Sequence, residues 1–300
     1  MRTFRALLKR NVKLFFKDKG LFFTSLITPL ILLVLYATFL SNVYRDSIDT
    51  VFKSFSVELP EKILNGIVGG QLFSSLLAVS CVTVAFCSNM LMVQDKVSGA
   101  RKDLLLTPVK RSTMALSYYL SSLFSTLIIC FTACGACIIY VACTGWYMSF
   151  GDVMLVILDV FVFTMFGTAL SSIINFFLSS QGQISAVGSI VSSCYGFICG
   201  AYMPLSSFAS GLRNVLMFMP GTYGTSLLRN HTLNGVLTEM ASQGYPEEAI
   251  TGLRNTIDCN LEFFGSQVSV STMYIVMGVT VVLLIGAYVL INALVKKKKK

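Results

Sequence analysis

Six runs of mostly apolar residues, at 21–43, 66–93, 114–143, 153–178, 184–203 and 272–295, leave this chain few ways to fold. A helix that crosses a bilayer needs about 20 such residues. Where water cannot reach the backbone, each amide must be paired inside the structure, and long continuous runs meet that demand as helices, whereas barrels need ten-residue alternating ones. A mean hydropathy of +0.75 with 12% charged residues excludes a water-soluble domain of this length. The expected fold class is an all-α membrane protein with six transmembrane helices. The fourth and fifth runs are separated only by Ser179, Ser180, Gln181, Gly182 and Gln183, which predicts a hairpin with a very short turn. An even number of spans puts both termini on one side.

Charge says which side. Arg2, Arg5, Lys9, Arg10, Lys13, Lys17 and Lys19 precede the first span, Lys96, Arg101, Lys102, Lys110 and Arg111 follow the second, and residues 296–300 are all lysine. On that same side only Asp18, Asp95 and Asp103 are acidic. Basic residues near span ends are held in the cytoplasm, so both termini are expected there, in the plasma (inner) membrane. The net charge of +9 thus reads as topology and as attraction to anionic lipids. Split among short juxtamembrane pieces, it does not make a nucleic-acid face. The first apolar run is too long for a signal-peptide core of about 7–15 residues and lies behind a charged helix, so no cleavable leader is expected.

Three pieces outside the hydrocarbon carry further pattern. Residues 1–20 form an amphipathic interfacial helix, with Phe4, Leu7, Leu8, Leu14 and Phe15 on one side and Arg2, Lys9, Arg10, Lys13 and Lys17 on the other. It is either an anchor or a lever. The loop at 94–113 contains Leu104, Leu105 and Leu106, and Pro108 separates a short helix there from span three; it is either a solvated connector or a docking surface. After span five, Met203-Pro204 breaks the helix, Ser206 or Ser207 can cap a new one, and 208–219 is apolar but too short to cross before Pro220-Gly221. This predicts an outer re-entrant helix within a segment at 204–271 whose remainder is a polar loop. Asn230-His231-Thr232 in that loop matches a glycosylation sequon, with meaning only in a eukaryotic source.

Enzyme chemistry has little to stand on. The chain lacks a phosphate-binding G-x-x-x-x-G-K-[ST] loop, an H-E-x-x-H and a G-x-S-x-G, and its single histidine, His231, is expected to be an exposed loop residue. Asp159 lies about two turns into span four, where a carboxylate costs about 2.5–3.5 kcal/mol on insertion scales at the bilayer centre. It must face protein or water. It is open whether it meets a cationic substrate group, carries a proton, or accepts a structural hydrogen bond from a Ser, Thr or Tyr. Most of the nine cysteines lie in or beside spans and read as small apolar residues; Cys130, Cys134 and Cys137 share a face without completing a metal site. A disulfide between Cys143 and Cys259 on the outer side is left open.

The basic start at Leu7-Leu8-Lys9-Arg10-Asn11, leading through Lys17-Asp18-Lys19-Gly20 to Thr28-Pro29-Leu30, is one piece of a larger pattern. A second is Gly99-Ala100-Arg101-Lys102-Asp103-Leu104-Leu105-Leu106-Thr107-Pro108-Val109-Lys110-Arg111, and a third runs from Gly200-Ala201-Tyr202-Met203-Pro204 through Met219-Pro220-Gly221-Thr222-Tyr223 to Leu228-Arg229. Together they resemble the permease subunit of ATP-binding-cassette (ABC) exporters of the type-two permease family. In place of the family's acidic run before the loop glycine stand Gln94 to Ser98, and Ala100 replaces the usual Thr.

The resemblance implies a domain at 21–300 that lines a pathway with a second permease chain, identical or a sister, and a separate cytoplasmic ATPase that holds ATP-Mg. The chain itself would carry no cofactor and no catalytic residue. Asp95, Lys96, Gly99, Arg101, Lys102, Asp103, Leu104 and Leu105 would couple it to the ATPase. Arg5, Lys9, Arg10 and Lys13 would belong to the interfacial helix, Pro204, Pro220, Tyr223 and Arg229 to the outer re-entrant segment, and Asp159 to the pathway. Span composition favours an apolar or amphipathic cargo. The alternatives are a secondary transporter driven by an ion gradient, which usually shows several intramembrane carboxylates, and a membrane enzyme that modifies lipids.

Overall fold

The computed structural model describes residues 2–54 and 59–294; Val295 and the lysine tail at 296–300, both used above, lie outside the described residues. Helix α1, Arg2–Lys17, is followed by Asp18, whose carboxylate accepts from the Leu21 amide at 3.1 Å and caps α2, Lys19–Leu35. From there the chain continues through a π-helical turn at Tyr36–Leu40 into α3, Ser41–Ser54, so the first apolar run is the lower part of one long rod. Next come α4 (Glu61–Val97), the short α5 (Ala100–Leu106), α6 (Arg111–Thr144), α7 (Phe150–Phe177) and α8 (Gln181–Ile198). A 3-10 turn, α9 (Ser210–Leu216), α10 (Pro220–Ser242) and α11 (Glu247–Thr256) lead to a hairpin of β1 (Leu261–Phe263) and β2 (Ser266–Val268), with Leu261 opposite Val268. The last helix is α12, Val270–Leu294.

Among the described residues five helices are long and apolar enough to cross a membrane: the rod from Lys19 to Thr50, α4, α6, α7 and α12. The fifth expected span corresponds to α8, whose 18 residues are diluted by Gln181, Gln183 and serines, and which is not among those five. It ends at Ile198, before the expected Met203, because Gly200 turns the chain at a positive φ of 74°. The hairpin between α7 and α8 is present and tighter than expected, since Gln181 to Gln183 already belong to α8.

Helix α4 is the axis of the bundle. It is buried along nearly its whole length, and α2, α6, α7, α8 and α10 pack around it. Its small residues allow close approach, as in membrane helix pairs generally. At Gly167 of α7 an added Cβ would stand 2.6 Å from the Cys81 carbonyl oxygen of α4, so these two backbones touch. Lower down, Asn89 Nδ2 donates to the Thr168 carbonyl at 3.2 Å and to Ser172 Oγ at 3.0 Å, a polar tie inside an apolar interface.

The segment after Pro220 overturns an expectation. Residues 220–242 form no polar outer loop; they form α10, a helix enclosed by α4, α7 and α12. A helix buried on most sides, as this one is up to Leu233, shows little amphipathic period, and its polar groups are tolerated because partners satisfy them. Within 208–219 only Ser210–Leu216 is helical, so the re-entrant helix is shorter than expected and α10 is the substantial element. Three further readings change with it. His231 is buried, not exposed. Asn230 spends its Nδ2 on the Ser226 and Cys259 carbonyls, at 2.9 and 2.8 Å, and is no loop acceptor for a glycan. Cys143 is exposed, Cys259 is buried, and both are free thiols.

Candidate functional site

One end of the bundle is organised around the corner between α4 and α5. Gly99 adopts a φ of +86° to start α5, and a Cβ there would meet nothing within 4 Å, so the requirement is conformational. Leu104 and Leu105 are half-buried and pack against a cluster that includes Met92, Met114, Tyr118 and Tyr288. Lys102 and Asp103 are exposed. So is Leu106, at 80% the most exposed large apolar side chain among the described residues. The outward apolar contact of α5 is therefore Leu106, a residue absent from the coupling set read from the sequence.

Asp95 and Lys96 are expected contact residues that the structure uses internally. Asp95 is buried and accepts from Arg10 Nη1 at 2.7 Å, Arg10 Nη2 at 3.0 Å and Tyr118 Oη at 2.6 Å. Such a two-pronged charged bond is both strong and directional, and it holds the Arg10 guanidinium above its ordinary pKa. Lys96 Nζ donates to the Asn175 and Leu178 carbonyls at 3.1 and 2.9 Å, and to that of Phe176, closing the C-terminus of α7. Arg101 donates to Asn292 Oδ1 of α12 at 3.2 Å and lies 5.6 Å from the Phe176 ring. The corner is thus tied to α1, α7 and α12 at once. On α1, Leu7, Asn11 and Phe15 face the bundle, while Arg5, Lys9 and Lys13 remain exposed.

At the opposite end Arg229 is the hub. It donates from Nη1 to Asp258 at 2.9 Å and from Nη2 to the Gly200 carbonyl at 2.6 Å, with 1% of its side chain exposed and 6% of its partner's. With its amide turned to accept, Gln71 of α4 also bonds Nε and Nη2 at 3.2 Å. Asp258 further accepts from the Leu205 amide at 2.7 Å. Burial raises the Asp258 carboxyl above the usual range, and Arg229 opposes the rise. The other re-entrant residues serve the same turn: Pro204 precedes the 3-10 turn, Pro220 is the first residue of α10, and Tyr223 Oη donates to the Met217 carbonyl at 2.7 Å.

Asp159 lies between these ends and is closed in. Its Oδ2 is 2.6 Å from His231 Nδ1 of α10, and its Oδ1 accepts from Tyr274 of α12 at 2.5 Å, so the carboxylate joins three helices. One turn of α10 later, Asn234 Nδ2 donates to Asp152 at 2.8 Å, at the capped start of α7. Helix α8 has the opposite character. Gln181, Ser185, Ser189 and Ser192 are exposed and recur every three or four residues, a polar stripe down one side. Among the described residues no cluster of His, Cys, Asp or Glu is arranged to hold a metal.

Comparison with known families decides what this architecture belongs to: the ABC-2 type transporter family matches residues 2–232, from the start of α1 into α10. The chain belongs to the ABC-2 type transporter family. It is accordingly a multi-pass permease component of an ABC-type transporter, of a family that is the transport membrane component and not the ATP-binding subunit, and that normally works with a cytoplasmic ATPase. No protein of curated function matches it in sequence. Within this ABC-2 permease, Leu106, Tyr118, His231, Asp258 and Tyr274 were not identified as site residues from sequence. Leu106 alone carried a visible signal, an apolar side chain directly before Thr107-Pro108 where the helix must stop.

Proposed function

We propose that this chain is one half of a dimeric exporter whose six spans are α2, α4, α6, α7, α8 and α12, driven by a separate ATPase that docks on α5. The observation that carries this reading is the contrast at the inner corner. Leu106 stands free while Asp95, Lys96 and Arg101, on either side of Gly99, are bonded to α1, α7 and α12. A surface that accepts a push needs both an exposed contact and rigid attachment behind it. Lys102, Asp103 and Leu106 make the contact, Leu104 and Leu105 seat the helix, and ATP-Mg stays on the partner. Both termini, α5 and the α7–α8 turn face the cytoplasm, and α1 rests on anionic lipid along residues 1–20.

The stripe of Gln181, Ser185, Ser189 and Ser192 supports the dimer, because a polar helix face left toward lipid is unfavourable and a second copy or a pathway covers it. Asp159 in this reading is an outer tie among α7, α10 and α12. ATP binding favours one of two bundle arrangements only by contacts that differ between them, and the α5 corner is where those contacts change. To test this, a cysteine placed at Leu106 in a background without exposed thiols should crosslink to the co-purified ATPase, and Leu106→Asp should release the ATPase.

A second reading rests on the Asp159–His231 pair, which is the kind of intramembrane titratable couple a gradient-driven carrier uses. Transport in vesicles driven by a proton gradient without ATP would establish it.

A further inference from the structure

Two grooves flank the junction of α1 and α6, and neither is filled by the described residues. The first has a volume of about 630 Å³ and is walled by Leu8 and Val12 of α1 with Leu120, Leu123, Phe124 and Leu127 of α6. Arg5, Lys9 and Lys13 stand at its rim. The second, about 700 Å³, shares Arg5 and Leu8 and continues along α6 past Thr113 and Leu116. Both volumes are in the range of about 300–1,000 Å³ typical of ligand sites. From Thr113 to Leu127 the helix rises about 21 Å, enough to cross one leaflet of a hydrocarbon core about 30 Å thick.

We propose that these grooves are a binding site for one anionic phospholipid of the cytoplasmic leaflet, with its phosphate among Arg5, Lys9 and Lys13 and an acyl chain along Leu120 to Leu127. The proposal rests on the reading that α1 lies on the cytoplasmic side. Three observations select this occupant. Apart from Arg5, Lys9 and Lys13 the first groove presents only aliphatic and aromatic side chains, which suit an acyl chain and no polar ligand. Arg5, Lys9 and Lys13 recur every four residues on one edge of α1, and none of the described carboxylates forms an ion pair with them. Their neighbour Arg10 does have one, Asp95, and is turned away from the rim. A second copy of the chain is disfavoured, since a two-fold contact there sets the same three cations against themselves.

The site differs from general attraction of a basic helix to a charged surface, because it predicts stoichiometry and dependence on groove shape. Native mass spectrometry of the full chain, titrated with phosphatidylglycerol or with phosphatidylcholine of the same acyl chains, reads both. One phosphatidylglycerol per chain should be retained in preference to phosphatidylcholine. Replacing Arg5, Lys9 and Lys13 together by Gln should lower that affinity on the order of a hundredfold, given about fivefold per surface cation. Val12→Trp, which fills the groove and keeps the charges, should also reduce retention. Unchanged thermal midpoints in phosphatidylcholine show that the variants are folded. Equal retention of the two lipids, equal stabilisation by glycerol phosphate alone, or an undiminished preference in Val12→Trp overturns the site. An N-terminal epitope accessible only from outside the cell would instead overturn the placement of α1, and because no ATP is present, neither result depends on coupling.

Discussion

Arg10 of α1 holds Asp95 of α4 through both of its terminal nitrogens, at 2.7 and 3.0 Å, four residues before Gly99 bends the chain into α5. Tyr118 of α6 donates to the same carboxylate at 2.6 Å. A displacement of α5 therefore reaches α1, α4 and α6 through one side chain.

Arg10→Leu should leave a buried carboxylate with Tyr118 as its remaining donor. The expected stability loss is about 1.5–3 kcal/mol, toward the lower figure because the Arg10 side chain is 32% exposed. Transport per ATP should fall several-fold with the ATPase still attached. Arg10→Lys should be intermediate, keeping charge and losing the fork. Transport and hydrolysis measured on the same vesicles give the ratio; an unchanged ratio in Arg10→Leu removes α1 from the coupling path.

Arg229→Met should cost about 3–5 kcal/mol, because it strands Asp258 as an unpaired buried charge. The pH dependence follows from the raised Asp258 carboxyl. A carboxyl whose folded pKa exceeds its unfolded one favours the fold at low pH and loses that contribution as pH rises through the folded value. With Arg229 gone only the backbone hydrogen bonds at Leu205 and Ser206 oppose the rise, so the variant should gain stability on acidification from neutral pH. Thermal midpoints at pH 5 and pH 8 check this, and a variant less stable at pH 5 contradicts it.

Two glycines should respond differently to Ala. At Gly167 the new Cβ meets the Cys81 carbonyl at 2.6 Å, and forcing α4 and α7 apart should cost about 1–3 kcal/mol. At Gly99 the space is free and the cost is that of a left-handed residue, about 1–2 kcal/mol. Gly167→Ala should thus lower the melting point and yield of the whole bundle, whereas Gly99→Ala should alter ATPase docking with little loss of yield.

His231→Leu and Asp159→Leu should each destabilise the bundle, and the double replacement should cost less than the sum of the two. The expected interaction energy is about 1–3 kcal/mol, since the two groups are in direct contact. A cycle of the four proteins in one detergent measures it. Strict additivity means the pair contributes no tie.

Much of this was legible in the sequence, for a physical reason. Apolar runs report exclusion from water directly, so α2, α4, α6, α7 and α12 stand where the runs do. Gly99 and Pro108 bracket α5 because each forbids helix in its own way. Helix α10 was hidden because protein surrounds it, and its Thr, Ser, Asn, Arg and His side chains read as loop. The punctuation was there: Pro220 at its first position and Gly244, at a φ of +81°, just past its end. The Asp159 cluster had no such mark. His231 and Tyr274 lie 72 and 115 residues from Asp159 in the chain, and only the packing of α7 against α10 and α12 brings them together. Likewise Asp95 and Lys96 read as surface charges until α1 and the end of α7 are in place to bond them.

The most direct test of the central claim is transport itself. The chain should be purified with the proteins that accompany it and reconstituted into sealed vesicles, then supplied either with ATP-Mg or with an ion gradient alone. The account predicts that a co-purified ATPase supports transport with ATP-Mg, that Leu106→Asp abolishes it, and that a gradient without ATP moves nothing. Transport by the lone chain on a gradient, undisturbed by Leu106→Asp, would contradict the account and make Asp159 and His231 the working groups.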